Sequence, residues 1–398
     1  MQYISAAEAS EKWGVSLRQV QRLLAANRIP NTKKYGRSWM IPEDAENPGD
    51  PHRERQSPEF TSLSSDLAYL AEAVAMPMPR DNPDGILDVI SKRRPRLRLM
   101  YEAAIAYLRG DFALAKRCFL DIGEDGAAKL LACPLAIATA VSLGDYTFYM
   151  EVETYLKNLV KADMGADISV LAESALATAY LSAMAPNMAP GWLKDGDFSA
   201  LPPRVRLDAI YKRTRYFQCL GKYESMLAVA QTALAFYASK HEVSNDNIYM
   251  RLMCAVACCA LGRLDDAEGY LLDVMRDYLP HGFITPFAEL MTVLGGLVEQ
   301  CLEREFPTYY KPIKEQWDRT VTNWISFHNS FTGDNVMFVL TPREFEIARL
   351  VARGVPYKKI AEQFNMSIGT LNNIMLVIYE TLFISGKNRR QELAKYIL

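Results

Sequence analysis

The chain has 398 residues, half of them apolar and 23% charged, a composition that excludes an intrinsically disordered protein and leaves room for more than one domain. Its formal net charge is only −2, yet residues 1–42 carry seven Lys/Arg against two Asp/Glu and residues 341–398 carry nine against five, so the acidic excess sits in between. Basic ends on an acidic middle suit a protein that touches nucleic acid with its ends.

Taken in order, the chain opens with Ser5 and Glu8 at the spacing of a capping box, which predicts a helix from Ala6 to Trp13-Gly14, where the glycine supplies a turn. Ser16 and Gln19 repeat that spacing and open a second helix through about Ala26, with Val20, Leu23 and Leu24 on its apolar face. Ser16, Arg18, Gln19, Gln21 and Arg22 are then left at its start and outer side, where a helix-turn-helix meets base edges. Arg forks onto guanine O6 and N7, and Gln pairs with adenine N6 and N7. Ile29 to Ile41 predicts a short hairpin whose cations, Lys33, Lys34 and Arg37, suit phosphate rather than bases.

The segments Ala6-Ala7-Glu8-Ala9, Trp13-Gly14-Val15-Ser16, Arg18, Val20-Gln21-Arg22, Ile29-Pro30 and Gly36-Arg37-Ser38-Trp39-Met40-Ile41-Pro42 resemble the winged helix-turn-helix of the MerR and excisionase type. The resemblance covers about a tenth of the chain and implies sequence-specific binding of double-stranded DNA. Residues 1–44 form this head, and 45–61, with several prolines and alternating charge, form an exposed linker.

Residues 62–336 read as helical almost throughout, so the fold class is mainly α, and they contain a repeat. Gly110, Gly144, Gly221 and Gly262 each follow an apolar helix and precede an amphipathic one. The long gap between Gly144 and Gly221 fits two units, with a worn repeat around Leu171 to Met184 and an insertion at 185–203. Paired helices that cannot bury their apolar faces alone stack on one another. The period and the Leu-Gly turn resemble tetratricopeptide repeats, which implies an α-superhelical body whose groove takes a small molecule, a peptide or a protein partner. Tyr101, Tyr107, Tyr211 and Tyr249 sit at helical spacing and read as core, whereas the insertion reads as a lid or partner loop.

Cys118, Cys133, Cys219, Cys254, Cys258, Cys259 and Cys301 lack CxxC spacing and read as buried packing residues, with no disulfide framework and no metal site expected. The longest weakly polar run, Leu130 to Gly144, is interrupted by Pro134 and falls short of a membrane span. Without a leader-like start, the chain is expected to be cytoplasmic and off the membrane.

At the other end, Thr341-Pro342-Arg343-Glu344 is a capping box with proline at the first helical position. Gly354 ends that helix, Lys358-Lys359-Ile360-Ala361 begins the next, and Ser367 caps a third that runs to about Leu382. A fourth covers 389–397. Residues 337–398, through LTPRE, IAEQF, MS and TLNN, resemble the LuxR-type helix-turn-helix of bacterial regulators, which implies a second DNA-binding head with four helices. That family favours basic residues at the positions of Gly369 and Asn372 and His at that of Ile374, so this chain departs from it where bases are read.

Aligning Trp13-Gly14-Val15-Ser16 with Phe364-Asn365-Met366-Ser367 sets Arg18 against Gly369, Gln19 against Thr370, Gln21 against Asn372 and Arg22 against Asn373. One reading helix carries two guanidiniums and the other none, so the first head is expected to supply most base discrimination. Thr370, Asn372 and Asn373 are the base-facing candidates of the second head, with Lys358, Lys359, Lys387 and Arg389 on phosphates. Alternatively, the apolar run Ile374 to Ile378 is partly a subunit interface.

There is no GxxxxGK[ST], GxSxG or HExxH sequence, so no enzyme and no cofactor is expected. The expected function is a sequence-specific DNA-binding transcription regulator, a homodimer whose helical repeat body senses a ligand, peptide or protein partner. The alternative is a helical-repeat scaffold or anti-activator whose degenerate heads serve assembly.

Overall fold

Strand β1 (Tyr3–Ser5) runs directly into helix α1 (Ala6–Trp13), and the junction is the predicted capping box. The Ser5 amide donates to Glu8 Oε2 at 2.7 Å and the Glu8 amide to Ser5 Oγ at 3.3 Å. These coordinates come from a computed structural model that describes residues 3–45, 78–333 and 340–397. Excepted are 14, 16, 26–28, 36, 37, 44, 80, 91–93, 124, 125, 163–165, 202–204, 238–241, 244, 295 and 383. The described chain is mainly helical and divides into two compact units, residues 1–63 and 64–398.

In the first unit, α2 (Leu17–Ala25) follows α1 through a turn in which the Val15 amide donates to Ser10 O at 3.1 Å. β2 (Lys33–Tyr35) and β3 (Ser38–Pro42) form the expected hairpin, with Lys34 opposite Trp39. Gly36 and Arg37, between those strands, lie outside the described residues, as do Ser16 and almost all of the expected linker. β1 adds on the far side of β3, Ile4 opposite Ile41, so the antiparallel sheet has the order β1-β3-β2. Three residues are too few to show an alternating pattern, and β1 was not expected. Ala9, Val20, Leu24, Ile29 and Ile41 fill the core between the helices and the sheet, with Leu23 partly buried beside them.

The second unit begins with β4 (Met78–Pro79), which pairs antiparallel with β5 (Glu242–Val243), a two-residue ladder in a region expected to be helical. After the short α3 (Ile86–Val89), helices come in pairs. α4 (Pro95–Leu108) pairs with α5 (Phe112–Ile122), α6 (Gly126–Leu143) with α7 (Tyr146–Lys161), and α8 (Ala166–Ser182) is followed by the short α9 (Gly191–Asp195). α10 (Arg206–Cys219) pairs with α11 (Tyr223–Tyr237), and α12 (Asn245–Ala260) with α13 (Leu264–Tyr278).

One turn recurs through these pairs. Gly110, Gly144, Gly221 and Gly262 all have φ between 65° and 83°. In each, the next residue's amide donates to the carbonyl five positions back, Asp111 to Ala106 and Asp145 to Ala140 among them, at 2.9 Å. Asp111 and Asp145 then cap the following helices, accepting from the Leu114 and Phe148 amides at 2.9 and 3.0 Å. The Gly-Asp pair in the sequence thus ends one helix and starts another. The worn repeat makes the same turn without glycine: Met184 takes φ 55°, and the Ala185 amide donates to Tyr180 O at 2.8 Å.

Part of the insertion after Met184 packs onto α8. Ala189 and Leu193 are buried against Ala177 and Leu181, and Trp192 Nε1 donates to Glu173 Oε2 at 3.1 Å. Pro134, expected to interrupt its apolar run, sits inside α6, and the helix continues through it for 18 residues in all. Among the described residues α6 is the one helix long and apolar enough to cross a membrane, with a mean hydropathy of 1.7, and 61% of it is buried inside the unit.

α14 (Thr285–Leu290) and α15 (Leu297–Glu305) lead to the 26-residue α16 (Pro307–Thr332), which closes the ends of the earlier helices. Asn323 Nδ2 donates to Ser142 O at 2.8 Å and Trp324 Nε1 to Ser182 O at 2.8 Å. His328 Nδ1 lies 3.0 Å from Ala183 O. Gln316 Nε2 donates to Thr285 Oγ1 at 2.8 Å, and that hydroxyl donates to Tyr107 O. Every helix leaves carbonyls unpaired at its C-terminal end, and these donors meet those of α4, α6 and α8.

Four final helices belong to the same compact unit: α17 (Pro342–Ala352), α18 (Tyr357–Gln363), α19 (Ile368–Thr381) and α20 (Arg389–Ile397). Thr341 and Glu344 form the expected capping box, and Ser367 Oγ accepts from the Thr370 amide at 3.0 Å. Arg353 reaches back to donate to Cys219 O, and the Phe345 ring lies 6.4 Å from Trp324.

Asn323→Ala is expected to leave Ser142 O unpaired and to lower unfolding free energy by about 1–3 kcal/mol. Urea denaturation checks this, and an unshifted midpoint would show that the amide carries no such load.

Candidate nucleic-acid interface and internal cavity

On the first head, Leu17 is 43% exposed and Gln21 is exposed, whereas Val20 and Leu24 of the same helix are buried. Arg18, Gln19 and Arg22 stand on the same helix, but their side chains lie outside the described residues. Lys33 and Lys34 are exposed on β2. Their ammonium groups lie over the Tyr3 ring at 5.2 Å and the Trp39 ring at 5.4 Å. The apolar stems therefore lie along the sheet while the charges remain in water.

On the second head, Asn365 takes φ 49° and the Met366 amide donates to Ala361 O at 2.9 Å. The alignment of the two heads sets Met366 against Val15 and Ala361 against Ser10, so matched positions close the same backbone bond. From α19, Gly369, Thr370, Asn372 and Asn373 face water, whereas Leu371, Met375 and Ile378 are buried. The apolar run Ile374 to Ile378 is thereby split, since Leu376 and Val377 are 51% and 47% exposed. Lys358 and Lys359 are exposed at the start of α18, and Lys387 and Arg389 are exposed at the start of α20. A neutral amide and hydroxyl face is thus flanked by cations.

The seven cysteines are free and buried. Burial pushes the Cys254 and Cys259 thiols up to about 12 and Cys301 up to about 11, so they remain protonated packing residues at neutral pH.

Residue spacing singles out no ligand site, but the second unit holds a partly open cavity of about 660 Å³. This is the size range of small-molecule sites, and Met100, Phe119, Ile122, Leu130, Leu135 and Met253 supply apolar wall. Tyr101, Tyr107, Tyr211 and Tyr249, read as core from their spacing, also line it. A wall residue and a core residue share the same helical period, so spacing cannot separate them. One signal was available: Lys212, between Ala209 and Cys219 on the buried side of α10, is a charged residue at a core position and only 2% exposed.

The charges in this wall are largely engaged. Lys212 pairs with Asp208, and Arg349 grips Glu346 through Nε at 2.9 Å and Nη2 at 2.6 Å, both side chains buried. Glu289 accepts from the Tyr107 and Tyr249 hydroxyls, the latter at 2.7 Å. Burial raises the Glu289 carboxyl above the usual carboxylate range, and the two hydroxyls only partly offset it. Phe345, Glu346 and Arg349 bring α17 into the same wall.

No protein-family model matches the chain, and comparison with curated proteins and with solved structures gives no match.

Because the folded chain holds the Glu289 proton more tightly than the unfolded chain, its contribution is full at acid pH and is lost as pH rises past the ordinary carboxylate value. Glu289→Gln is expected to remove that slope, so wild-type stability falls relative to the variant between about pH 5 and about pH 7. Urea midpoints of both proteins at the two pH values check the sign, and parallel changes would refute it.

Proposed function

We propose that this protein is a cytoplasmic, sequence-specific DNA-binding transcription regulator. In this reading α1 to β3 form a winged helix-turn-helix, α17 to α20 a second DNA-binding head, and the helix pairs between them a tetratricopeptide-like sensor. The observation that carries the reading is a pair of helices joined by a tight turn in each head, α1 with α2 and α18 with α19. Of the second helices, α2 exposes Gln21 and α19 exposes Thr370, Asn372 and Asn373, and lysines are exposed in both heads. Ser16, Arg18, Gln19, Gln21 and Arg22 read bases, while Lys33, Lys34 and Arg37 hold phosphate. Thr370, Asn372 and Asn373 face bases from α19, with Lys358, Lys359, Lys387 and Arg389 on the backbone. The protein acts as a homodimer, and the cavity takes its effector.

A second reading is favoured by Leu376 and Val377, whose outward side chains on α19 suit a protein contact better than DNA. The second head then serves assembly, as in a scaffold or anti-activator.

A gel-shift assay with DNA from the protein's own promoter region separates the two, alongside size-exclusion chromatography with and without the duplex. Arg18→Ala with Arg22→Ala is expected to weaken selective binding by tenfold or more, since a bidentate base contact is worth about 1–3 kcal/mol. Asn372→Ala with Asn373→Ala is expected to cost less. Equal losses would overturn that ranking, and no DNA complex at moderate salt would overturn the regulator.

A further inference from the structure

Where α10 ends against α17, guanidinium groups outnumber their carboxylates. Arg215 and Arg349 both line the cavity, and so does Cys219. Arg353, one turn beyond Arg349, donates to Cys219 O and lies against Gly221. Burial raises the Cys219 thiol, and all three guanidiniums pull in the opposite direction. The one carboxylate among these neighbours, Glu346, is already held by Arg349 Nε and Nη2, which leaves Arg349 Nη1 outside the pair.

Neither of the other two cations is in an ion pair among the described residues, although Arg215 is near enough to Glu289 to pull that carboxyl down. Arg215 Nη1 donates to the neutral Gln218 Oε1, and among the described residues no carboxylate lies within ion-pairing distance of it. Arg353 Nη1 is buried without any acceptor. Burial and then the neighbouring Arg349 push the Arg353 guanidinium down, as expected where cations crowd one another. Arg215 and Arg353 are half-buried and incompletely matched by carboxylates, a setting that favours an anion beside them.

The rest of the wall does not call for a cation. Asp208 and Glu346 are in ion pairs, and both oxygens of Glu289 already accept tyrosine hydroxyls. Beyond the charged corner the wall is mostly apolar, leucine and alanine above all, interrupted by tyrosine, serine and threonine hydroxyls.

We propose that the cavity binds an amphipathic organic anion, its apolar body among Met100, Phe119, Leu130 and Leu135 and its acid group at Arg215 and Arg349. Arg215 belongs to the helix pairs and Arg349 to α17, so one ligand fastens the body to the C-terminal helices. Guanidinium binds carboxylate and phosphate in the same forked way, and both acid groups fit. The proposal rests on the sensor reading of the helical body, but it concerns the ligand, so its test contains no DNA.

The full-length protein is loaded with the fluorescent apolar anion anilinonaphthalene sulfonate and titrated with decanoate, decyl phosphate, decanol and decylammonium. At least one of the two anions is expected to displace the dye at concentrations tenfold or more below those of decanol and decylammonium, a ratio of about 1.4 kcal/mol or more. The stronger anion identifies the acid group. Arg215→Gln is expected to weaken that anion about tenfold and to leave decanol unchanged. Amide hydrogen exchange over residues 342–352 is expected to slow when the anion binds.

Decanol or decylammonium displacing the dye as well as the anions overturns the proposal, as does an Arg215→Gln protein that binds the anion like wild type. If that variant does not fold, the ligand series on the unaltered chain decides alone. Unchanged exchange over 342–352 overturns the link to α17. A failed gel shift with intact anion binding would instead sink only the DNA-binding reading.

Discussion

The second unit depends on how the carbonyl ends of its helices are satisfied. α4, α6 and α8 finish close to a single crossing helix, and each would otherwise leave backbone oxygens buried and unpaired. α16 supplies Asn323, Trp324 and His328 to the ends of α6 and α8, and its Gln316 holds the Thr285 hydroxyl that donates to the end of α4. An amide, an indole and an imidazole are short enough to reach a carbonyl from a neighbouring backbone and rigid enough to fix its distance. The same helix brings Thr320 and Trp324 into the cavity wall, so the device that ends the helices also closes the space between them.

That space is apolar in most of its lining and charged in a few places, which is the reverse of a packing defect. A void left by poor packing is lined by whatever the core contains. Here a lysine, two arginines and three carboxylates reach the wall from α10, α14 and α17, and most are held in pairs or by hydroxyls. Keeping such groups inside is costly unless each meets a partner, and the corner around Cys219 is where the matching is incomplete.

Much of the fold was legible because caps and turns write themselves into local sequence. Ser5 with Glu8 and Thr341 with Glu344 marked two helix starts, and both boxes are formed. The glycines at 110, 144, 221 and 262 marked four turns, and each adopts the left-handed backbone that the residue allows. The exposed faces bearing Gln21, Thr370, Asn372 and Asn373 followed from helical spacing. What escaped was decided over long distances. β1 exists because Ile41 lies beside it, and β5 because Met78 comes back to it across more than a hundred residues. Met184 holds a glycine-like turn that composition cannot reveal, and Pro134, read as an interruption of its apolar run, is carried inside a continuous helix. The cavity escaped for the same reason, since nothing in one helix says what stands opposite it.

α17 belongs to two interiors at once. Ile347, Leu350 and Val351 fill the core of the C-terminal helices, while Phe345, Glu346 and Arg349 stand in the wall of the cavity. A helix used on both sides has no face left over to serve as a seam. The C-terminal module is therefore not an interchangeable cassette: grafted onto another body it would carry an aromatic ring and a dehydrated ion pair into solvent. Any lineage that exchanged this module between proteins would have had to rewrite one side of a single eleven-residue helix in the same step.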